Sequence, residues 1–367
     1  MFANILLLLT LAYCTQIIIL AIATFMARYP SNALYRPSVT IIVAARNVEH
    51  NIRRCIESIL QLSYPAELLE IVIVDDRSTD RTAEIVRDCV GQSNHMRLLT
   101  ATQGTNNLRG KANAVAQGIE ASRGDILLFT DADCTVPLHW VEEMVKYYSD
   151  PSVGVVAGFT VLRNHRLFEA IQTLDWLILF SVAAAVVRLG YPVTAVGNNL
   201  SVRRAAYDQT GGYPKIPFSV TEDYALFHAI TRHTNYRACF PLDASSLVDS
   251  QPCKTLGELY QQKKRWFTGG RGMDAKSLTL FAVPFCMNAA LLLSLISTPW
   301  EVILIAATAK MCVDLFLASS SLVSFGQWRL VKHFVAFEIY YTLYVLVFPI
   351  IVLFAKKVIW KERRFGD

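Results

Sequence analysis

Apolar positions fall into two kinds of run along this chain: short ones broken by amphipathic stretches between residues 38 and 270, and long uncharged ones at the two ends. In the middle, 39–45 reads as a strand buried on both faces. Residues 49–62 carry Ile52, Ile56, Ile59 and Leu60 at helical spacing, and Tyr64-Pro65 ends that helix. Residues 71–74 predict the next strand, closed by Asp75 and Asp76, and Ser78-Thr79-Asp80 open a helix over 82–90. A third strand follows at 96–99. Gly110-Lys111 starts a helix to about Ala121, Gly124 breaks it, and 126–129 is a further buried strand. Strand and helix alternating in units of roughly thirty residues argue for a parallel, doubly wound α/β sheet. Beyond it the pattern predicts a helix from Pro137 to Tyr148, a strand over 153–160, a helix over 221–233 and an amphipathic helix over 256–267.

At the ends, residues 5–27 carry no charge, lack a basic n-region and show no small-x-small cleavage site, so they read as a retained membrane anchor. Residues 277–297 form a second uncharged run. A third run, 302–323, contains Lys310 and Asp314, four apart and able to pair on one helical face. A fourth, 334–355, contains Glu338 and Pro349. Residues 176–187 are apolar between Asp175 and Arg188, too short a run to span, and read as a buried helix or one lying at the membrane interface.

Composition sharpens this picture. Of 367 residues, 53% are hydrophobic and 18% charged, with a mean hydropathy of +0.34, too apolar for an ordinary soluble protein. The net charge is +5, and Lys and Arg crowd at 263–276 and 356–364 beside membrane segments. By the positive-inside rule these flanks, with Arg28 and Arg36, lie on the cytoplasmic side. Three full spans after a cytoplasmic domain would put the basic tail outside, so either one late segment does not cross or the tail is an exception. The eight cysteines are scattered with no C-x-x-C, which suits a reducing compartment and argues against a disulfide framework or a structural zinc site.

Candidate chemistry begins at Asp131 and Asp133, which follow the 126–129 strand at the end where open α/β sheets hold ligands. If the backbone is still extended there, residues two apart point the same way. The pair then suits a hard divalent cation that completes its shell with water and phosphate oxygens. In isolation the same pair reads as a turn with two solvated acids. In chain order the sequence also offers Asp75-Asp76, Glu222-Asp223 at a helix start, and Gln262-x-x-Arg265-Trp266.

With these four motifs in this order, the chain resembles the membrane-bound members of glycosyltransferase family 2, which include ceramide-type, carotenoid-type and other lipid glycosyltransferases as well as cellulose, chitin and hyaluronan synthases. The resemblance implies a GT-A fold, the doubly wound mixed sheet of nucleotide-diphospho-sugar transferases, flanked by transmembrane α-helices. It implies a membrane anchor over 1–30, a cytoplasmic GT-A domain over 38–270, transmembrane helices over 277–355 and a basic tail over 356–367. It assigns the donor nucleotide-sugar to Ala45, Arg46, Asp75, Asp76, Lys111, Asp131, Arg265 and Trp266. Mg2+ or Mn2+ falls to Asp131 and Asp133, the catalytic base to Asp223, and the acceptor to Glu222 and Trp266. Each suits its part: carboxylates accept from a uracil imide, lysine brings a point charge to a diphosphate, arginine forks onto phosphate, and tryptophan offers a flat wall. His139 and His165 read as ordinary helix or surface histidines.

The expected reaction is inverting transfer of a sugar, glucose by resemblance, from a UDP-sugar to the hydroxyl of a lipid such as a carotenoid or other isoprenoid, a polyprenol or a sphingoid. The alternative is a processive polysaccharide synthase of the chitin, hyaluronan or poly-GlcNAc kind, which shares the Gln262-x-x-Arg265-Trp266 motif. Three or four spans give little material for a polar channel, which favours the lipid acceptor unless a homo-oligomer or accessory subunit supplies more. A non-enzymatic nucleotide-sugar sensor is disfavoured because every expected carboxylate is present. The expected partners are the donor, the acceptor and the bilayer, with no nucleic acid, and the expected location is a bacterial inner membrane.

Overall fold

The computed structural model describes residues 2–26, 28–91, 93–104, 108–270, 275–354, 358–360 and 363–365, with backbone only at 275–276 and 351–365. Arg271 of the first basic cluster and Lys356, Lys357, Lys361 and Glu362 of the tail lie outside the described residues. In chain order the helices are α1 (Phe2–Phe25), α2 (Ile52–Leu60), α3 (Thr82–Val90), α4 (Gly110–Glu120), α5 (Trp140–Val145), α6 (Leu167–Arg188), α7 (Arg204–Gln209), α8 (Gly212–Lys215), α9 (Glu222–His233), α10 (Leu256–Gly269), α11 (Ala275–Ser294), α12 (Trp300–Ser324) and α13 (Phe334–Phe354). The strands are β1 (Val39–Ala45), β2 (Leu69–Asp75), β3 (Met96–Thr100), β4 (Ile126–Phe129), β5 (Val153–Ala157), β6 (Thr160–Leu162), β7 (Leu200–Arg203), β8 (Arg237–Cys239), β9 (Val248–Ser250), β10 (Val358–Trp360) and β11 (Arg363–Phe365).

These elements form two compact units. One comprises Arg28–Arg163 and Thr194–Gln251; the other gathers Met1–Ala27, Asn164–Val193 and Pro252–Asp367. The first is built on a seven-stranded sheet in the order β3-β2-β1-β4-β7-β5-β8. Its first four strands are parallel, as strand–helix alternation predicts. β7 then runs antiparallel to both β4 and β5, so the sheet is mixed. Four residues reading Leu-Ser-Val-Arg are too few to announce a strand, and their pairing with β4 is a tertiary event. Ile41, Ile71, Ile126 and Leu128 are fully buried in the core on one side of the sheet, against Ile52, Ile56 and Trp140.

The single strand expected over 153–160 is two. Gly158 donates its N–H to Asn199 O at 2.8 Å, and a Cβ there would lie 2.4 Å from the Asn199 amide. The chain turns away at that point, and Thr160–Leu162 pairs with β9 in a separate two-stranded sheet.

The helical unit contains α1, α6 and α10 to α13. Five helices among the described residues are long and apolar enough to cross a membrane: Phe2–Phe25, Leu167–Arg188, Ser277–Ser294, Trp300–Ser324 and Trp328–Ile350. The second of these exceeds its expected length because α6 begins at Leu167 and carries polar Gln172, Thr173 and Asp175 before the apolar run. Length alone would allow α6 to cross, but its place in the chain forbids it. β4 and β5 precede α6 and β7 follows it, and all three belong to one sheet. A single crossing would divide that sheet between two sides of a bilayer, so both ends of α6 lie on the same side.

Two lysines buried in the helical unit are ion-paired, as an apolar surrounding requires. The Lys310 ammonium is buried between Asp314, at 2.8 Å, and Glu338, so the expected pair forms and has a third member. The Tyr13 hydroxyl donates to Asp314 Oδ1 at 2.5 Å. A second buried pair joins Lys263 of α10 to Asp175 of α6, with the Tyr340 hydroxyl 3.4 Å from the same carboxylate.

The placement of α6 is checked by labelling single cysteines, introduced at Asn164 and at Tyr191 in a cysteine-free background, with an impermeant reagent in membrane vesicles of known orientation. Both positions should react from the same side. Reaction from opposite sides would mean that α6 crosses.

Candidate active site

At the carboxyl ends of β1 and β2, parallel pairing puts Ala45 directly beside Asp75, so two residues thirty apart in sequence share one edge. Asp75 and Asp76 are 4% and 5% exposed. Asp75 Oδ1 accepts the Ser78 N–H at 3.1 Å, the bond of a turn that caps the strand. Arg46 reaches across and donates from Nη1 to the carbonyls of Asp76 at 2.7 Å and Arg77 at 3.0 Å. Asn47 returns the link through Ser78 Oγ and the Thr79 N–H. Both loops hold a non-glycine residue at positive φ, Asn47 at 49° and Arg77 at 57°. Such positions cost on the order of 1 kcal/mol or more each and gather at ligand clamps.

Asp131 and Asp133 sit just past β4, where the backbone is already turning: Cys134 N–H bonds to Asp131 O at 3.0 Å. The extended geometry expected for the pair is therefore not what aligns it. The turn does so, bringing carboxylate oxygens of both residues and the Cys134 sulfur within 4.8 Å of one another. Burial, followed by the neighbouring Asp133 and Asp131 charges, pushes the Cys134 thiol well above its ordinary range. The thiol donates to Asp133 Oδ1 at 3.8 Å. Two carboxylates beside a protonated thiol are a hard donor set, which fits Mg2+ or Mn2+ better than a thiophilic metal.

Lys111 is delivered to this place by the start of α4. Gly110 takes a positive φ of 57°, which glycine adopts without the Cβ penalty, and the next residue enters the first turn. The Lys111 ammonium lies 2.6 Å from Asp131 Oδ1 and 2.8 Å from Glu222 Oε1. Burial works against its charge, but the Asp131, Glu222 and Asp223 carboxylates outweigh it and hold the lysine above its usual pKa. Glu222 and Asp223 open α9, where the helix dipole favours negative charge.

Asp223 is fixed by a residue that sequence reasoning missed. Gly197 donates its backbone N–H to Asp223 Oδ2 at 2.6 Å, and the Tyr224 N–H reaches Oδ1 at 2.9 Å. A charge-assisted bond of the first kind contributes about 2 kcal/mol. The turn Gly197–Asn199 precedes β7, and because β7 pairs with β4 in the register Phe129↔Leu200, this turn lies next to the one carrying Asp131. Asn199 accepts the Trp140 indole N–H at 2.9 Å, and Thr130 Oγ1 donates to Asn198 O at 2.9 Å. A Gly-Asn-Asn triplet ahead of a short apolar run is a turn signal that could have marked the site. Lys111, Thr130, Gly197, Glu222 and Asp223 line one cavity, floored by Ile42, Phe129 and Leu200.

Arg265 and Trp266 belong to the helical unit, on α10. Trp266 packs on Trp176 of α6 with ring centroids 5.5 Å apart, and the Lys263 ammonium lies 4.7 Å from the Trp266 ring centre. His139 pairs with Glu142 on an exposed turn, and the backbone N–H of His165 caps onto Glu169.

A mixed sheet with these carboxylates at one edge matches a solved fold. A mannosyltransferase from Pyrobaculum calidifontis, solved in complex with GDP-Man and Mn2+, superposes with a TM-score of 0.63 at 21% identity, covering 89% of this chain and 99% of that one. The fold is therefore GT-A. Residues 40–211 match glycosyl transferase family 2 and residues 126–355 match glycosyl transferase family group 2, and the chain belongs to this family. Among curated relatives, the beta-monoglucosyldiacylglycerol synthase of Synechocystis sp. is 26% identical over 236 residues, 64% of this chain and 48% of that protein. The poly-beta-1,6-N-acetyl-D-glucosamine synthase of Staphylococcus epidermidis is 25% identical over 240 residues, 63% of this chain and 54% of that protein. The chain thus matches about half the length of each.

The Gly197 contact makes a specific prediction. A Cβ at position 197 would lie 2.7 Å from Asp223 Cβ, so Gly197→Ala must displace the carboxylate. With Asp223 as the base that the family resemblance implies, sugar transfer should fall by roughly a hundredfold, the scale set by misplacing a reacting group by about 1 Å, while affinity for a nucleoside diphosphate measured by calorimetry stays within about threefold. Wild-type turnover in this variant would show that the position of Asp223 is immaterial.

Proposed function

We propose that the protein is an inverting, divalent-metal-dependent glycosyltransferase that moves a sugar, most simply glucose, from a UDP-sugar to the hydroxyl of a membrane lipid. The observation that carries this reading is the convergence of Lys111, Glu222 and Asp223 on one cavity, with Asp131 joined to it through the Lys111 ammonium, in a chain with several helices long and apolar enough to cross a membrane. A glucosyldiacylglycerol synthase among the relatives supports a glucose donor and a glycerolipid-like acceptor. Asp75 and Asp76, with Ala45 and Arg46 beside them, hold the nucleoside. Asp131 and Asp133 hold the cation, whose chemistry is to neutralise charge on the departing diphosphate.

In this reading Asp223 removes the acceptor hydroxyl proton as that oxygen bonds to the anomeric carbon. The bond from that carbon to the diphosphate oxygen breaks with its electron pair going to UDP, on the opposite face, so one base suffices and the configuration inverts. The Gly197 and Tyr224 N–H groups keep the Asp223 carboxylate oriented for this. Arg265 contributes a fork for phosphate and Trp266 a wall for sugar or lipid. In this reading Glu222, next to Asp223, contacts the acceptor.

A processive synthase is the second reading, favoured by the poly-N-acetylglucosamine synthase among the relatives. Labelled UDP-sugars supplied to membranes separate the two. Label that extracts into organic solvent as a low-mass lipid supports the first, and label retained in aqueous high polymer supports the second. Asp223→Asn should lower turnover by about a thousandfold or more with UDP affinity nearly intact, as expected for loss of a general base. EDTA should abolish transfer and Mn2+ or Mg2+ restore it; full activity after chelation would remove the metal from the mechanism.

A further inference from the structure

The ammonium of Lys111 stands where a cation is called for. It is 2.6 Å from an oxygen of Asp131 and 2.8 Å from an oxygen of Glu222. Its place in the fold is otherwise unfavourable, because it occupies the first turn of α4, where the helix dipole opposes a positive charge. The two carboxylates that offset this differ in kind. Asp131 is 37% exposed at the open edge of the sheet and belongs to the cation pair, whereas Glu222 is 8% exposed and held in the first turn of α9.

A divalent ion bound directly to Asp131 would sit at about 2.1 Å from its oxygens. The ammonium already lies at 2.6 Å from that carboxylate. At such range the two cations repel strongly even in a partly screened site. They therefore compete for Asp131, each weakening the other's hold on it.

We propose that Lys111 is a built-in placeholder cation: it neutralises Asp131 and Glu222 in the unloaded site, and gives up Asp131 while keeping Glu222 when the divalent ion and the donor diphosphate arrive together. This rests on the proposed role of Asp131 and Asp133 as cation ligands. Its consequence is ordered loading. The ion alone must displace an ammonium that has nowhere better to go, so it binds weakly. With the nucleoside diphosphate present, the displaced ammonium gains phosphate oxygens as new partners, and ion and nucleotide reinforce each other. Glu222 is then a positioning residue for Lys111 as well as a neighbour of the acceptor side.

Mn2+ binding to the full-length protein in nanodiscs, followed by electron paramagnetic resonance of the free ion, tests this without turnover. In the absence of nucleotide, Lys111→Met should bind Mn2+ roughly tenfold more tightly than the wild type, because the competing charge is gone. The tightening of Mn2+ by saturating UDP should be several-fold smaller in that variant than in the wild type. Glu222→Gln should weaken Mn2+ more when Lys111 is present than in the Lys111→Met background, since an ammonium with one anchor fewer leans wholly on Asp131. Unchanged or weaker Mn2+ binding in Lys111→Met overturns the placeholder, and equal effects of Glu222→Gln in both backgrounds overturn the anchoring role of Glu222. Absence of Mn2+ binding in every variant, with and without UDP, would instead remove the cation assignment of Asp131 and Asp133, and the placeholder with it. Thermal melting establishes that each variant is folded, and Lys111→Gln replaces Lys111→Met if the latter is not.

Discussion

The ladder between β4 and β7 is the constraint on which both the site and the chain's path depend. Because the pair is antiparallel in the register Phe129↔Leu200, the turn leaving β4 and the turn entering β7 lie side by side. One carries Asp131 and Asp133; the other carries Gly197, whose N–H fixes Asp223. A slip of one residue would turn every side chain of β7 to the opposite face and separate these turns. The same ladder fixes the course of α6, since strands on either side of that helix must reach one sheet.

Electrostatics at this edge follow from packing several acids into one place. Like charges at such range repel, and the fold answers with local donors. Backbone N–H groups serve Asp75 and Asp223, and an ammonium serves Asp131 and Glu222 together. In the helical unit the same demand is met by two buried ion pairs, each extended by a tyrosine hydroxyl. Removing one partner of such a pair leaves a charge stranded among apolar side chains, at a cost of about 3–5 kcal/mol. Lys263 and Trp266, one helical turn apart, are thereby held to α6 and α13.

Much of this was legible in the amino-acid order because it is written locally. β1 and α3 run over the residues that periodicity assigns, and β4 over its buried apolar run. The acids at the ends of β2 and β4 stood out because each follows a run of apolar residues. Gly197 did not: its Gly-Asn-Asn triplet signals a turn, but nothing local tells that its N–H donates to a carboxylate 26 positions away. The full length of α6 was hidden by Gln172, Thr173 and Asp175, which read as a polar boundary until their partners in the helical unit are known: Cys253 for Gln172 and Lys263 for Asp175.

The sequence alone marked the alternating strands and helices up to β4 and four of the five long apolar helices found among the described residues, because hydrophobic period and turn chemistry act over a few residues. It also marked the acids and bases at strand and helix ends. Tertiary structure decided which of them meet: that an antiparallel strand enters a parallel sheet, that a turn rather than an extended strand aligns Asp131 with Asp133, and that one lysine stands between two carboxylates 91 positions apart. Those outcomes depend on strand register and on burial of charge, which are properties of the packed chain.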